Sequence, residues 1–199
     1  MTDADLVRKI LRAFWFLAGA TLVGFLAIKN LPPDGILEAH AGAGQVSPFI
    51  SVLRPVDRVT LEKDGVTRYL ITADPVYFQL AIPRLFRQAT VTVTFRNPEH
   101  LDVSLGPSTS LTQWGFALQP LDTKDHHAID LGDGWRRATA TFDVSQMAIQ
   151  NGEVQMAISV PMAGKVPGVV EVSDIAVRYV REPLTFENVG ASLARLLHL

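Results

Sequence analysis

Tyr77, Trp114 and Trp135 are the side chains of this sequence best suited to holding a ligand, because an exposed aromatic plane stacks against the C–H face of a sugar ring. Trp114 is followed by Gly115 and Phe116 and stands near a Ser/Thr run, the composition of a loop. The same rings also suit a core. The chain has only three tryptophans, and Trp15 lies in an apolar run near the start. Arg84, Arg87 and Arg96 offer a second chemistry, since a guanidinium grips carboxylate or phosphate at two points. Arginines of that kind also simply solvate the outer face of a sheet.

Catalytic signatures are missing. No G-x-S-x-G, H-E-x-x-H or phosphate-binding loop occurs, and no catalytic, cofactor or metal residue is assigned. The segment Gly42 to Ser47 begins like a dinucleotide fingerprint, but Ser47 stands where a small residue is needed and no strand precedes it. The richest polar cluster runs from Asp122 through His126, His127 and Asp130 to Asp133. Adjacent histidines on a strand point to opposite faces, and the carboxylate spacing fits no EF-hand, so the cluster reads as a solvated turn. With no cysteine there is neither a disulfide nor a reactive thiol. A net charge of -2 gives no broad attraction to nucleic acid.

The elements that position these residues fall into blocks. Residues 10–28, ILRAFWFLAGATLVGFLAI, form one apolar run interrupted by Arg12. As a helix, about 19 residues span roughly 28 Å, close to the hydrocarbon thickness of a bilayer. Arg8, Lys9 and Arg12 precede the run's centre and only Lys29 follows it, so the positive-inside rule puts residues 1–9 in the cytoplasm and the remainder outside. This predicts a cell-membrane protein with a single-pass anchor and an extracytoplasmic domain. Ala39-His40-Ala41 resembles a signal cleavage site but lies far beyond the run, which favours an uncleaved anchor. Residues 29–44, with Pro32-Pro33 and a Gly/Ala-rich stretch, read as a linker.

From residue 45 to 182 the period is two, the mark of strands with one buried face. Val91, Val93 and Phe95 alternate with threonines; Ala138, Ala140, Phe142 and Val144 form a second set; Val154, Met156, Ile158 and Val160 form a third. Asp64-Gly65, Asn97-Pro98, Gly132-Asp133-Gly134 and Asn151-Gly152 supply turns. Between Val172 and Ile175 the apolar phase slips from even to odd positions, which predicts a β-bulge near Ser173-Asp174. The fold expected is an all-β, antiparallel sandwich, with a closed barrel as the alternative. Its core should hold Val91, Val93, Phe95, Phe142, Val154, Ile158, Ile175 and Val177.

Trp135 leading into an alternating strand, then a strand like Val154–Val160, then a closing strand like Val169–Tyr179, resembles jelly-roll domains of the galactose-binding and carbohydrate-binding-module type. The resemblance covers most of residues 45–181 and is one of pattern. It implies a jelly roll, a fold that serves lectins, enzyme appendages and structural modules alike.

At the other end, Phe186, Val189, Leu193, Leu196 and Leu197 make a helical apolar stripe over residues 183–199. Leu193, Leu196 and Leu197 are therefore candidates for a partner interface, against the sandwich, another protein or lipid. Taken together, the sequence reads as a membrane-anchored extracytoplasmic binding or assembly module rather than an enzyme. A structural or accessory role in a cell-envelope or transport complex, with a membrane-complex protein partner, leads. A tethered glycan-binding domain, or a piece of a larger multi-pass membrane protein, is the alternative.

Overall fold

The computed structural model describes residues 3–30, 34–121, 128–166 and 168–182, and the side chains of its N-terminal helix over residues 7–24. The expected C-terminal stripe, with Leu193, Leu196 and Leu197, and the pair His126 and His127 lie outside the described residues.

Helix α1 spans Asp3–Asn30, so the helix expected over residues 10–28 extends a further two turns toward the N-terminus. It stops where Pro32-Pro33 follows, because a proline disfavours helix in the residue before it. Its apolar side chains are exposed on every side, Phe14, Trp15, Phe16, Leu17, Leu22 and Val23 among them. Among the described residues no helix is long and apolar enough to cross a membrane. Arg8, Lys9 and Arg12 place three cations in its N-terminal part. The expected transmembrane span is therefore not supported as a span.

Eleven strands follow among the described residues: β1 (Ile36–Gly42), β2 (Val59–Asp64), β3 (Val66–Ile71), β4 (Val76–Ala81), β5 (Gln88–Arg96), β6 (Ser104–Pro107), β7 (Gln119–Pro120), β8 (Ile129–Gly132), β9 (Trp135–Asp143), β10 (Glu153–Ser159) and β11 (Val170–Val180). They form a seven-stranded sheet ordered β2-β3-β11-β5-β9-β8, with β1 also on β11, and a four-stranded sheet ordered β4-β10-β6-β7. Strands distant in sequence become neighbours, every pairing between them is antiparallel, and the result is a jelly-roll sandwich.

One stretch departs from expectation. Residues 36–42, part of the segment read as a linker, are strand β1, paired residue by residue with β11 from Ile36 opposite Val180 to Gly42 opposite Asp174. Ala41 and Ala43 are buried there, so the small residues that looked like a spacer are the ones packed inward.

The alternation predicted from sequence holds. Val91, Val93, Phe95, Phe142, Ile175 and Val177 of the larger sheet face Val154, Met156, Ile158, Phe78 and Leu80 of the smaller one, all of them buried. Each large apolar side chain removed from water in this way stabilises by about 1.5–3 kcal/mol. The slip in β11 is a bulge: the register with β5 shifts between Val172 and Asp174, which leaves Ser173 as the extra residue. Without it, Ile175, Val177 and Tyr179 would point to solvent.

Candidate ligand-binding site

The site is built on the outer face of the smaller sheet. In β4, Val76, Phe78 and Leu80 are buried, so the pleat turns Tyr77 and Gln79 outward. In β10, Gln155 lies opposite Gln79 and Ala157 opposite Tyr77. The small Ala157 leaves the Tyr77 ring room on this face.

Two segments frame these strands. On the free edge of β4, residues 49–54 add a short ladder. The Ser51 amide donates to the Gln79 carbonyl at 3.0 Å, and Arg54 and Tyr77 exchange backbone bonds of 2.8 and 2.6 Å. The Ser51 hydroxyl also accepts from the Gln79 amide at 2.7 Å. On the far side, the chain leaving β6 folds back as a hairpin. The Thr109 amide donates to the Gly115 carbonyl, the Ala117 amide to the Pro107 carbonyl, each at 3.0 Å. The Ser110 hydroxyl accepts from the amides of Thr112 and Gln113 and so closes the tip. Gly106 permits this return, since a Cβ there would stand 2.2 Å from the Ala117 carbonyl oxygen.

The hairpin carries Trp114 to Tyr77. Their rings meet edge to face, 5.5 Å apart at 88°, and Phe116 stacks on Tyr77 at 5.8 Å and 25°. Trp114 also meets Phe116 edge to face at 5.3 Å, yet remains 73% exposed. A tryptophan fixed by two neighbouring rings and open to water is a preformed platform. Beside it lies an open cavity of about 290 Å³ whose polar lining comes from Ser51, Arg54, Arg58, Gln79 and Gln155. Arg58 is held in place by donating to the carbonyls of Asp74 and Pro75 at 3.3 and 3.0 Å. Burial raises the pKa of the Tyr77 phenol, and the neighbouring Arg58 cation partly offsets the rise. Tyr77 is thus a neutral phenol at neutral pH, able to donate or accept.

Of the three aromatics singled out by sequence, the structure brings two together and separates the third. Trp135 opens β9 on the larger sheet, where its ring lies under the Arg96 guanidinium at 5.6 Å. Arg96 in turn donates to the buried Glu171 carboxylate at 2.6 Å, so this arginine serves the sheet. Arg84 and Arg87 are exposed and line neither the site nor its cavity. Sequence reasoning missed Ser51, Arg54, Arg58, Gln79 and Gln155. Gln79 and Gln155 could have been found as polar residues at outward positions of alternating strands, but their pairing is a property of the sheet.

A second trough, about 590 Å³, crosses the larger sheet over Thr90, Thr92, Thr139 and Ala176. Its hydroxyls are already engaged across strands, Thr90 with Thr141 at 3.0 Å and Thr92 with Thr139 at 3.1 Å, and among the described residues no tryptophan, tyrosine or phenylalanine lines it. Among the described residues no group of three His, Asp or Glu side chains could hold a metal ion.

No protein-family model and no curated protein matches the chain. Among solved structures it is similar to CBM35 from Cellvibrio japonicus, at 14% identity and a TM-score of 0.47 over 73% of this chain and 99% of that one. A family 35 carbohydrate binding module from Clostridium thermocellum gives 8% identity and a TM-score of 0.44 over 71% and 97%. A CBM6 from Clostridium stercorarium in complex with cellobiose gives 8% and 0.41 over 72% and 94%. In structure, then, the sandwich is similar to carbohydrate-binding modules of families 6 and 35, the type that the strand pattern of its sequence resembles.

Proposed function

We propose that this chain is a glycan-binding jelly-roll domain attached to a membrane by α1, acting by binding rather than catalysis. The observation that carries the reading is Trp114, held edge-on to Tyr77 and 73% exposed beside a cavity lined by amide and guanidinium donors. The aromatic face supplies the apolar contact a sugar ring needs, and Gln79, Gln155 and Ser51 supply hydrogen bonds to its hydroxyls. Binding by the full-length chain in detergent micelles to an oligosaccharide array tests this. Loss of signal with Trp114→Ala, at unchanged thermal stability, is the expected result; binding indifferent to that change would overturn the site.

Attachment rests on α1, whose exposed apolar side chains surround the helix. A helix apolar all round requires apolar surroundings. Arg8, Lys9 and Arg12 at its N-terminal end would meet the anionic headgroups of the membrane surface. Flotation with liposomes checks it: the full chain should float, and a chain with Leu17→Asp and Val23→Asp should not.

The same helix favours a second reading, an accessory subunit of a membrane complex, in which α1 packs on helices of a protein partner. A stoichiometric partner recovered by crosslinking from membranes, and retained with Trp114→Ala, would support that reading over the first.

A further inference from the structure

We infer that the ligand of the Trp114–Tyr77 site is a glycan bearing an anionic group, a carboxylate or a sulfate ester, gripped by Arg54 and Arg58. This rests on the glycan reading above and names the class of sugar. Among the described residues, the charged side chains lining the cavity are these two arginines, and no carboxylate lines it. The nearby Asp74 carboxylate does not line the cavity and accepts the Val160 amide at 2.5 Å.

The state of Arg54 points the same way. Arginines on the larger sheet are paired with carboxylates: Arg68 with Glu62 and Glu171, Arg96 with Glu171, Arg178 with Glu38. Arg54 is exposed at the rim, and no hydrogen bond or ion pair with a described residue engages its guanidinium. Arg58 is the complement, buttressed from behind by the Asp74 and Pro75 carbonyls. One cation is thus fixed and one is uncommitted, beside a ring-stacking platform. A neutral sugar would find its partners in Ser51, Gln79 and Gln155 and would leave Arg54 unused. A carboxylate or sulfate on the ring uses it, since a guanidinium presents parallel N–H donors to two oxygens. The whole chain carries a net charge of -2, so any preference for anions must be local.

The test uses the full-length chain in detergent micelles against matched pairs of oligosaccharides: oligogalacturonates and oligoglucuronates beside their methyl esters, and sulfated galactans beside the desulfated forms. The acidic member of a pair should bind at least about tenfold more tightly, because charge-assisted bonds are roughly twice as strong as neutral ones. Arg54→Gln should weaken binding of the acidic member several times more than binding of its neutral counterpart, and so bring that ratio toward one. A preference for uronates assigns the carboxylate, and one for sulfated galactans assigns the sulfate. Equal affinity within every pair, with all binding lost in Trp114→Ala, overturns the anionic preference and leaves the glycan reading standing. An acidic preference that survives Trp114→Ala is general charge attraction and overturns the inference. No binding to any member, neutral or acidic, overturns the glycan reading and this inference with it.

Discussion

The phenol of Tyr179 on β11 donates to the carbonyl oxygen of Ala81 on β4 at 2.5 Å, a hydrogen bond that joins one sheet of the sandwich to the other. Tyr179 is fully buried, with Phe49 and Phe86 against its ring at 6.2 and 5.8 Å. The site-bearing sheet and the sheet reached from α1 are therefore tied by a polar contact set among aromatic groups.

Tyr179→Phe keeps the ring and removes the donor, which leaves the half-buried Ala81 carbonyl without this partner. We expect a loss of about 1–3 kcal/mol, the penalty for an unsatisfied buried polar group. Urea unfolding should show a lower midpoint at unchanged slope. No change in midpoint would mean that the bond does not hold the sheets.

The same residue predicts an alkaline limit. Burial pushes the Tyr179 phenol well above its ordinary value of 10.0. Below pH 10 the folded and unfolded chains both hold the proton, and the stability is fully present. As pH rises past 10, the unfolded chain releases that proton first, so stability falls by up to about 1.4 kcal/mol per pH unit from this group. Wild type should lose stability between about pH 10 and 11 more steeply than Tyr179→Phe when both are followed by thermal unfolding. Parallel curves would rule out Tyr179 as the source.

Glu171 is buried between Arg68 and Arg96, at 3.1 and 2.6 Å. Glu171→Ala removes the shared anion and leaves two cations facing each other, whereas Glu62→Ala removes a more exposed carboxylate from Arg68 alone. Exposed pairs contribute under about 1 kcal/mol. Arg96 is partly exposed, which softens the penalty, but Glu171→Ala should still cost several times more than Glu62→Ala. Chemical denaturation of the two variants side by side measures the ratio, and equal losses would contradict the assignment.

Gly106→Ala tests how the platform is held. A Cβ 2.2 Å from the Ala117 carbonyl oxygen, and 2.8 Å from the Leu118 Cα, must push the returning hairpin off the sheet. Trp114 would then lose its contacts with Tyr77. Changed tryptophan emission and reduced oligosaccharide binding are expected, with only a modest drop in melting temperature. Binding equal to wild type would show that the hairpin need not lie flat.

Much of this architecture was legible before any fold was known. Two-residue periodicity marks the buried faces of β5, β9 and β10 because the pleat alternates side chains whatever the neighbours are. The bulge at Ser173 was visible as a phase slip, since a strand cannot change faces without an extra residue. Trp114 and Tyr77 were also legible as aromatic candidates, though their meeting was not.

Other features belonged to the tertiary structure. Strand β1 has the composition of a spacer, and its pairing with β11 depends on a partner more than a hundred residues away. The separation of Trp135 from Trp114 follows from which sheet each segment joins, a choice made by long-range registry. Arg54, Arg58, Gln79 and Gln155 converge because a short ladder forms on one edge of β4 and β10 pairs on the other. Local sequence sets which way a side chain points from its own strand. Which side chains meet depends on pairings between distant strands, whose free energy no single segment contains.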